Sequence, residues 1–445
     1  MIARVLTFLV CSAALLGAAP PNIVLIVADD LGYGDLACYG SKINPTPHID
    51  ALTATGVRFT DFHSAGPMCT PTRAAMLTGQ YQQRFGRQFD GALGEAQHDQ
   101  GLPHEAVTLA EVLKPAGYAT ACFGKWHLGY QPPWLPPDQG FDEFRGLGSG
   151  DGDFHTHIDR AGREDWWHGN ELEMEGGYTT ELLTRHSIDF IEKNRDRPFF
   201  LYLPHLAIHF PWQGPDDPPH RQKGKDYSKD KWGIIPNPAD VSPHIKAMIR
   251  ALDDSVGRIV AALKDRQLDR NTLVIFTSDN GGYLSYAPNF RNISSNGPLR
   301  DQKGSIYEGG HRVPTIISWP GRIQPAITHE IAHSTDLLPT IAQITGTSQP
   351  VSATDGIDLS PLLFRGEPLP ERMLFWRLGD KHAVRSGSWK LCINGKRTEL
   401  FDLEHDVGET TNLAAQHPER VKQLRQAWEK WNADVNRSAA KYSQP

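Results

Sequence analysis

Short apolar runs rich in β-branched residues alternate along this chain with segments of helical period. Residues 22–28 (NIVLIVA) and 272–277 (TLVIFT) are mostly apolar, which is typical of strands buried on both faces. Further strands are predicted at residues 119–123, 199–203 and 313–319. Helices are predicted at residues 107–116, 180–193, 245–263 and 336–344. This alternation predicts an α/β protein in which helices sandwich a large, mainly parallel sheet.

The pattern changes after about residue 370. A chain of 445 residues is long enough for one large domain and an appendage. Four short strands are predicted at 373–376, 383–385, 389–393 and 399–403, followed by a helix at 418–433 whose buried face would carry Leu424, Trp428 and Trp431. We therefore expect a main domain over residues 20–369 and a C-terminal subdomain over 370–445, built as a small antiparallel sheet with a packed helix.

The first nineteen residues have the pattern of a secretory signal. Arg4 precedes an apolar run at 5–16, and small residues at 17–19 offer a cleavage site. The run is too short to span a bilayer comfortably, so we expect no stable membrane insertion. The protein is predicted to be secreted or periplasmic, or lysosomal in a eukaryote. Removing residues 1–19 leaves four cysteines, too few for a disulfide framework in this length.

The net charge of the chain and the length of two loops limit the classes of function that the protein can have. The formal charge of −7 argues against a nucleic-acid partner, and an anionic substrate would have to be held by local cations. Two long stretches, 131–177 and 211–242, are rich in Pro, Gly, Asp, His and Trp. Loops of this length inside a compact domain are usually functional, although surface elaboration is the alternative.

Acidic and amide side chains follow two of the predicted strands. Asp29 and Asp30 come directly after residues 22–28, and Asp279 and Asn280 follow the strand at 272–277. The carboxyl ends of parallel strands meet at one edge of a sheet, so these side chains are expected to lie together. Such hard oxygen ligands suit Ca²⁺ or Mg²⁺ better than zinc. Alternatively, each cluster forms only Asx turns and helix caps.

The stretch Cys69-Thr70-Pro71-Thr72-Arg73 sets a proline two residues and an arginine four residues after a cysteine. Thr70 is predicted to cap a short helix at 71–78, with Pro71 in the first helical position. Cys69 is then expected just before the helix, where free N–H groups favour an anion. Arg73 could reach back over residue 69. The alternative is a buried structural cysteine beside a helix cap.

Lysines and histidines occur at two other strand ends and in one loop. Lys125 and His127 are two residues apart after a predicted strand, and continued extension would project them on one face. His209 follows the run FFLYLP, with His205 as a near neighbour, and Lys303 lies in a loop with glycines. A lysine supplies fixed positive charge, and a histidine exchanges protons near neutral pH. Taken singly, each is as readily an ordinary strand-end or loop residue.

Taken in order, these segments resemble the type I (formylglycine-dependent) sulfatases of the alkaline-phosphatase superfamily. The motifs are VADD, CTPTRAAMLTGQY, GKWHLG, AIHFPW, TSDNGG and KGSIYEGGHRVP, followed by AVRSGSWKL and ELFDLEHDVGETTNLA. They cover nearly the whole mature chain and are most similar to exo-acting sulfatases of sulfated glycans. The resemblance implies an alkaline-phosphatase-like fold, a sulfatase catalytic domain over 20–369 and a sulfated carbohydrate as substrate. It does not indicate which sugar or which sulfate position.

The resemblance also implies a role for each matching residue. The ligands of a Ca²⁺ ion, with Mg²⁺ possible, would be Asp29, Asp30, Asp279, Asn280 and an oxygen of modified Cys69. A maturation enzyme would convert Cys69 to formylglycine, whose hydrate is the nucleophile and is stabilised by Arg73. Lys125 and Lys303 would bind sulfate oxygens. His127 would deprotonate the covalent intermediate, and His209, in preference to His205, would protonate the leaving alcohol.

Two other functions remain open at the level of sequence. One is a phosphonate monoester or phosphodiester hydrolase of the same superfamily, some of which also use formylglycine. The paired lysines with His127 and His209 favour sulfate over that reading. The other is a non-catalytic sulfoglycan-binding protein, which the chain would be if Cys69 stayed a thiol. An acid–base set would have no role in such a protein.

Overall fold

A computed structural model describes residues 19–227, 240–286, 290–347 and 354–442. The predicted signal segment, residues 1–19, lies outside these ranges except for its last residue. Part of the second long loop, residues 228–239, also lies outside them. Within the described ranges, no helix is both long enough and apolar enough to cross a bilayer.

The strands in chain order are β1 (Asn22–Ala28), β2 (Gly56–Phe59), β3 (Phe62–His63), β4 (Ala119–Lys125), β5 (Glu143–Leu147), β6 (Trp167–His168), β7 (Glu171–Leu172), β8 (Phe199–Pro204), β9 (Thr272–Ser278), β10 (Ser285–Tyr286), β11 (Phe290–Arg291), β12 (Thr315–Ser318), β13 (Ala326–Thr328), β14 (Ala332–His333), β15 (Met373–Leu378), β16 (Lys381–Ser386), β17 (Trp389–Asn394) and β18 (Arg397–Asp402). The helices are α1 (Pro47–Ala51), α2 (Cys69–Thr78), α3 (Leu109–Leu113), α4 (Thr179–Lys193), α5 (Ser242–Asp265), α6 (Glu308–His311), α7 (Leu337–Thr345), α8 (Ser360–Arg365) and α9 (Pro418–Ala439).

One ten-stranded sheet forms the centre of the fold, in the order β13-β2-β12-β9-β1-β8-β4-β5-β6-β7. Its middle strands β9, β1, β8, β4 and β5 are all parallel to their neighbours within that group. Antiparallel pairing enters on either side, through β12 and through the short strands β6 and β7. This confirms the predicted α/β class with a mainly parallel sheet.

Helices cover both faces of this sheet, and the alternation of side chains along β1 shows why. Ile23, Leu25 and Val27 face one hydrophobic cluster, and Val24, Ile26 and Ala28 face another. Every residue of β1 is buried, as expected for a strand with helices on both sides. The helices α2, α3 and α7 belong to the first cluster, and α4 and α5 to the second.

The C-terminal part confirms the predicted antiparallel sheet with a terminal helix. Strands β15 to β18 pair in sequence as a meander. Helix α9 packs on this sheet through Leu424. The ring of Trp431 stacks parallel to that of Phe375, with 5.1 Å between the ring centroids. Trp428, the third predicted residue of that face, is only partly buried. The exact boundary at residue 370 stays a prediction.

Candidate active site

The register of β1 and β9 explains why two acidic clusters meet. The strands are parallel, with Val27 opposite Thr277 and Ala28 opposite Ser278. Both strands end at the same level, so Asp29-Asp30 and Asp279-Asn280 follow side by side. The backbone N–H of Asp279 donates to the carbonyl of Ala28 at 3.1 Å, which extends the pairing into the site.

Three buried cations neutralise the three carboxylates of this cluster. Arg73 Nε and Nη2 donate to Asp279 Oδ2 at 2.9 and 2.8 Å. Lys125 Nζ donates to Asp29 Oδ2 at 2.5 Å. Lys303 Nζ donates to Asp30 Oδ1, also at 2.5 Å. The formal charges of these six side chains cancel, which is the condition under which charged groups tolerate burial.

Some oxygen atoms of the cluster are not hydrogen-bonded to these cations. Asp29 Oδ1, Asp30 Oδ2 and Asn280 Oδ1 are buried and have no hydrogen-bond partner among the described residues. Asn280 Nδ2 donates to Asp30 Oδ1 at 2.8 Å, which turns the amide oxygen away from that bond. Unsatisfied buried oxygens are costly in a folded protein, and a hard divalent cation would satisfy all three. The residues therefore fit Ca²⁺ or Mg²⁺.

Cys69 is the first residue of α2, not the residue before it as predicted, and its N-cap is Met68. Thr70 does not cap the helix, so that prediction is wrong. Its hydroxyl instead donates to the carbonyl of His127 at 3.1 Å and accepts from the N–H of Leu93 at 3.1 Å. Burial raises the pKa of the Cys69 thiol, so this side chain is a thiol near neutral pH.

His127 faces Cys69 in one defined tautomer. Its Nε2–H donates to the carbonyl of Leu93 at 2.9 Å, since a carbonyl can only accept. Its Nδ1 therefore carries the lone pair and lies 3.1 Å from Cys69 Sγ. Burial, and then the charge of Lys125, holds the pKa of His127 well below its usual range. The ring is thus a neutral acceptor aimed at residue 69.

His209 lies on the other side of the carboxylate cluster. Its Nδ1–H donates to the carbonyl of Phe210 at 2.7 Å, and its Nε2 is 3.8 Å from Asp30 Oδ2. Burial, followed by the charges of Lys125 and Lys303, holds the pKa of His209 well below its usual range. His205 is buried elsewhere, with Nε2 3.3 Å from Ser255 Oγ. The structure therefore favours His209 over His205 as a residue of the site.

A cavity of about 280 Å³ gives access to these groups. Cys69, His127, His209 and Lys303 all line it. The long stretch at 131–177 adds Ser149, Asp151 and Arg160 to its wall, and Tyr283 and Tyr286 complete another part. The second long stretch supports this wall, because Arg221 Nη1 donates to Asp151 Oδ1 at 3.2 Å.

Residues 21–347 match the family profile described as Sulfatase. The chain belongs to the sulfatase family. It is 35% identical to arylsulfatase A of Homo sapiens, with 94% of this chain and 89% of that protein covered. It is 36% identical to N-acetylgalactosamine-6-sulfatase of Canis lupus familiaris, with coverage of 86% and 74%. The structure of Ps i-CgsB in complex with k-i-k-neocarrahexaose matches with a TM-score of 0.81 and 31% identity, with 94% of each chain covered.

These relatives confirm the family that the motifs indicated, a type I sulfatase of the alkaline-phosphatase superfamily. The protein is therefore a sulfuric ester hydrolase. In this sulfatase the structure brings together every predicted site residue: Asp29, Asp30, Cys69, Arg73, Lys125, His127, His209, Asp279, Asn280 and Lys303. Their individual roles stay predictions.

Sequence reasoning missed the residues that hold the sulfatase machinery in place. The sequence predicts Thr70 only as a helix cap, and Leu93 acts through its carbonyl, which no side-chain motif reveals. The ring centre of Tyr283 lies 5.2 Å from Lys303 Nζ, a cation–π contact that only the fold creates. The GG sequence after Asn280 hints at close backbone approach, since a Cβ at Gly281 would lie 1.8 Å from the carbonyl of Gly309.

A second buried cluster, His63 with Glu308 and His311, has metal-ligand chemistry but is filled by protein cations. Lys390 Nζ lies 2.9 Å from Glu308 Oε1 and 3.0 Å from His311 Nε2. Arg385 Nη1 lies 2.9 Å from His63 Nε2. This cluster therefore ties the C-terminal sheet to the main domain, and we do not assign an ion to it.

Proposed function

We propose that this sulfatase hydrolyses sulfate esters of a sulfated glycan through a formylglycine hydrate derived from Cys69. The observation that carries this proposal is the position of Cys69 at the start of α2, with His127 Nδ1 3.1 Å from its sulfur. A thiol whose pKa is raised by burial is a poor nucleophile in its unmodified form. Conversion by a maturation enzyme would give residue 69 a reactive hydroxyl at the same point.

The buried cations would stabilise the charge that develops as the S–O bond breaks. Lys125 and Lys303 contact the carboxylate cluster from two different elements, β4 and the loop before α6. Arg73 is fixed by Asp279 and by the carbonyl of Lys125, which Nη1 meets at 2.6 Å. Preorganised positive charge of this kind is commonly the largest contribution to catalysis, because it needs no rearrangement during the reaction.

Two histidines would then carry the protons. A formylglycine hydrate supplies one hydroxyl for attack on sulfur and a second whose deprotonation expels sulfate. His127 would accept that proton at Nδ1, because its Nε2–H is donated to the carbonyl of Leu93. His209 would act as the imidazolium, a form that the negative charge of a bound sulfate ester would favour. It would donate its Nε2 proton to the leaving alcohol, since its Nδ1–H is engaged by the carbonyl of Phe210.

The cation would be held by Asp29, Asp30, Asp279, Asn280 and an oxygen of modified residue 69. When bound, it would add net positive charge that polarises the nucleophile and sulfate oxygens. The oxygen-only ligand chemistry supports Ca²⁺ or Mg²⁺ as the ion. His209 also lies within 4.8 Å of Asp29 and Asp30, but we assign its ring to the substrate because it lines the cavity.

The substrate class rests on the relatives and on the cavity. Named relatives are an arylsulfatase and an N-acetylgalactosamine-6-sulfatase, and a structural neighbour was solved with k-i-k-neocarrahexaose. Tyrosine and paired polar side chains line the cavity here, a combination that suits a sugar ring. We infer action on a sulfated carbohydrate by a protein that is exported, either secreted, periplasmic or lysosomal.

This function is tested by comparing a sulfate ester with a phosphate diester that carries the same nitrophenolate leaving group. With protein matured beside a formylglycine-generating enzyme, kcat/KM for nitrophenyl sulfate should exceed that for bis-nitrophenyl phosphate. Hydrolysis of N-acetylgalactosamine 6-sulfate would support the glycan class. A higher value for the phosphate diester would favour the phosphodiesterase alternative. Sulfoglycan binding without turnover, by protein whose Cys69 stays an unconverted thiol beside the maturation enzyme, would favour the binding-protein alternative.

Metal removal should destabilise the protein as well as inactivate it. A cation present at about 100 times its Kd stabilises the native state by ~2.7 kcal/mol. We therefore expect one equivalent of calcium or magnesium by elemental analysis, and a lower Tm in EDTA. Asp30→Asn should shrink the calcium-dependent rise in Tm, whereas Asp254→Asn, whose side chain is 61% exposed, should not. Stoichiometric zinc without calcium or magnesium would contradict the assignment.

A further inference from the structure

A second cavity, of about 420 Å³, adjoins the active-site cavity. The two share Tyr130, Ser149 and Asp159 as lining residues, so they are separated by a single wall. The second cavity continues along the stretch at 131–177 to Trp167 and Leu172. A sugar attached to a ligand in the first cavity would therefore have the second cavity directly beside it.

Hydrogen bonds to one buried carboxylate hold the wall between the two cavities in place. Asp165 is buried, and its carboxylate accepts from the N–H groups of Gly148 and Ser149 at 3.0 Å each. The same carboxylate accepts from Trp167 Nε1 at 2.8 Å. These three bonds hold the backbone beside the first cavity and the indole of the second in one arrangement. Preorganised groups of this kind are typical of ligand sites.

The second cavity has apolar surface and paired charges. Trp167 lies on β6 and Leu172 on β7, the last two strands at this end of the sheet, and Leu172 is 50% exposed. Arg163 Nε donates to Asp159 Oδ2 at 2.9 Å, and Lys223 Nζ donates to Glu164 Oε2 at 2.7 Å. Each lysine or arginine among the described lining residues therefore already has a carboxylate partner.

The second cavity differs from the first in its distance from the buried cations of the carboxylate cluster. Lys303 lines the first cavity, whereas none of Arg73, Lys125 and Lys303 lines the second. The lining of the second cavity carries two basic side chains, Arg163 and Lys223, against the carboxylates of Asp159 and Glu164. Burial raises the pKa of the third acid, Asp165, to about 7, so it adds only part of a negative charge near neutral pH. Such a surface offers hydrogen-bond donors and acceptors, but it offers an anion no net attraction. The apolar faces of an uncharged sugar ring match the indole and the leucine.

We propose that the second cavity binds the sugar residue next to the sulfated one, and that it selects an uncharged residue over a uronate or a second sulfated sugar. This proposal rests on the glycan sulfatase function proposed above. The selectivity for the neighbouring sugar would be set at the end of the sheet formed by β6 and β7, away from the reacting atoms. The protein would then act on oligosaccharides in which sulfated and neutral residues are neighbours.

Two disaccharides test the proposal. Both carry 6-sulfated N-acetylgalactosamine, and they differ only in the neighbouring residue, galactose or glucuronate. Affinities are measured by calorimetry on the Cys69→Ala protein, so that binding is read without turnover. We expect the galactose probe to bind about tenfold more tightly, and Leu172→Asp to remove most of that advantage. Equal affinities, or no detectable binding of either probe, would overturn the proposal.

Kinetics separate this inference from the function on which it rests. On the matured protein, Leu172→Asp should leave kcat/KM for nitrophenyl sulfate unchanged, because that substrate has no second sugar. Glu164→Gln leaves Lys223 without its carboxylate, and we expect it to improve binding of the glucuronate probe severalfold. Ile327→Asp is the matched control, since Ile327 is 58% exposed on β13 at the opposite edge of the sheet. An equal effect of Ile327→Asp and Leu172→Asp would assign the loss to general destabilisation and count against the site.

Discussion

Replacing Cys69 with alanine is expected to abolish sulfate-ester hydrolysis, with a loss on the order of 10⁵–10⁶-fold, the scale seen when a covalent nucleophile is removed. Cys69 lines the active-site cavity at the start of α2, and His127 Nδ1 is its polar neighbour. No other cysteine among the described lining residues could replace it. Initial rates on nitrophenyl sulfate measure the loss.

The same experiment can show whether residue 69 is converted. The tryptic peptide of the active protein should lack the mass of H₂S and gain that of oxygen. Cys38→Ala is the matched control, because Cys38 is a free, partly exposed cysteine outside the cavity and should leave activity unchanged. Alanine fits the first turn of a helix, so the Cys69 variant should still fold. A fully active Cys69→Ala protein would remove Cys69 as the nucleophile.

The central strands could be predicted closely because buried parallel strands leave a strong apolar signal. The prediction for β1 is correct to the residue, whereas the segment predicted at 313–319 pairs only over Thr315–Ser318. Pro314 lacks an N–H for the sheet, and the N–H of Trp319 turns to the carbonyl of Thr55. The short strand β2 was missed because four residues with an arginine give no clear period.

Helix ends were less predictable, since single residues decide them. The helix predicted at 107–116 is an α-helix only over Leu109–Leu113. Thr108 and Glu111 form a capping box that starts it two residues later than expected. Pro115 then falls in a 3-10 turn at Lys114–Ala116, which closes the element. Periodicity located this helix, and capping chemistry set its limits.

The identities of the site residues could be predicted, but their working states could not. Strand ends gathered the carboxylates, as the parallel topology required. The tautomer of His127 depends on Leu93, 34 residues away in sequence, through a backbone carbonyl. Thr70 likewise serves Leu93 and His127 in place of its own helix. Such backbone contacts exist only once the loops are folded, and therefore leave no motif.

His209→Ala is expected to cost far more on a sulfated sugar than on nitrophenyl sulfate. If His209 protonates the leaving oxygen, its contribution to the rate depends on how poorly that oxygen leaves without a proton. General acid catalysis typically contributes ~10²–10⁴-fold, and the larger loss belongs to a sugar alkoxide. A nitrophenolate leaves without a proton, so the loss on the aryl ester should be small. The cavity position of His209 motivates the assignment, and because Nδ1–H is donated to Phe210, Nε2 is the nitrogen that can carry the transferred proton.

Lys303→Ala supplies the contrast that separates proton transfer from sulfate binding. Lys303 contacts Asp30 and would contact sulfate oxygens, which are the same in both esters. Its loss should therefore lower kcat/KM by similar factors on both substrates. His205→Ala is the matched histidine control, because His205 lies outside the cavity against Ser255 and should preserve the ratio of the two rates. Equal losses on both esters for His209→Ala would reduce His209 to a binding residue, and the proton for the leaving alcohol would then have to come from water in the cavity.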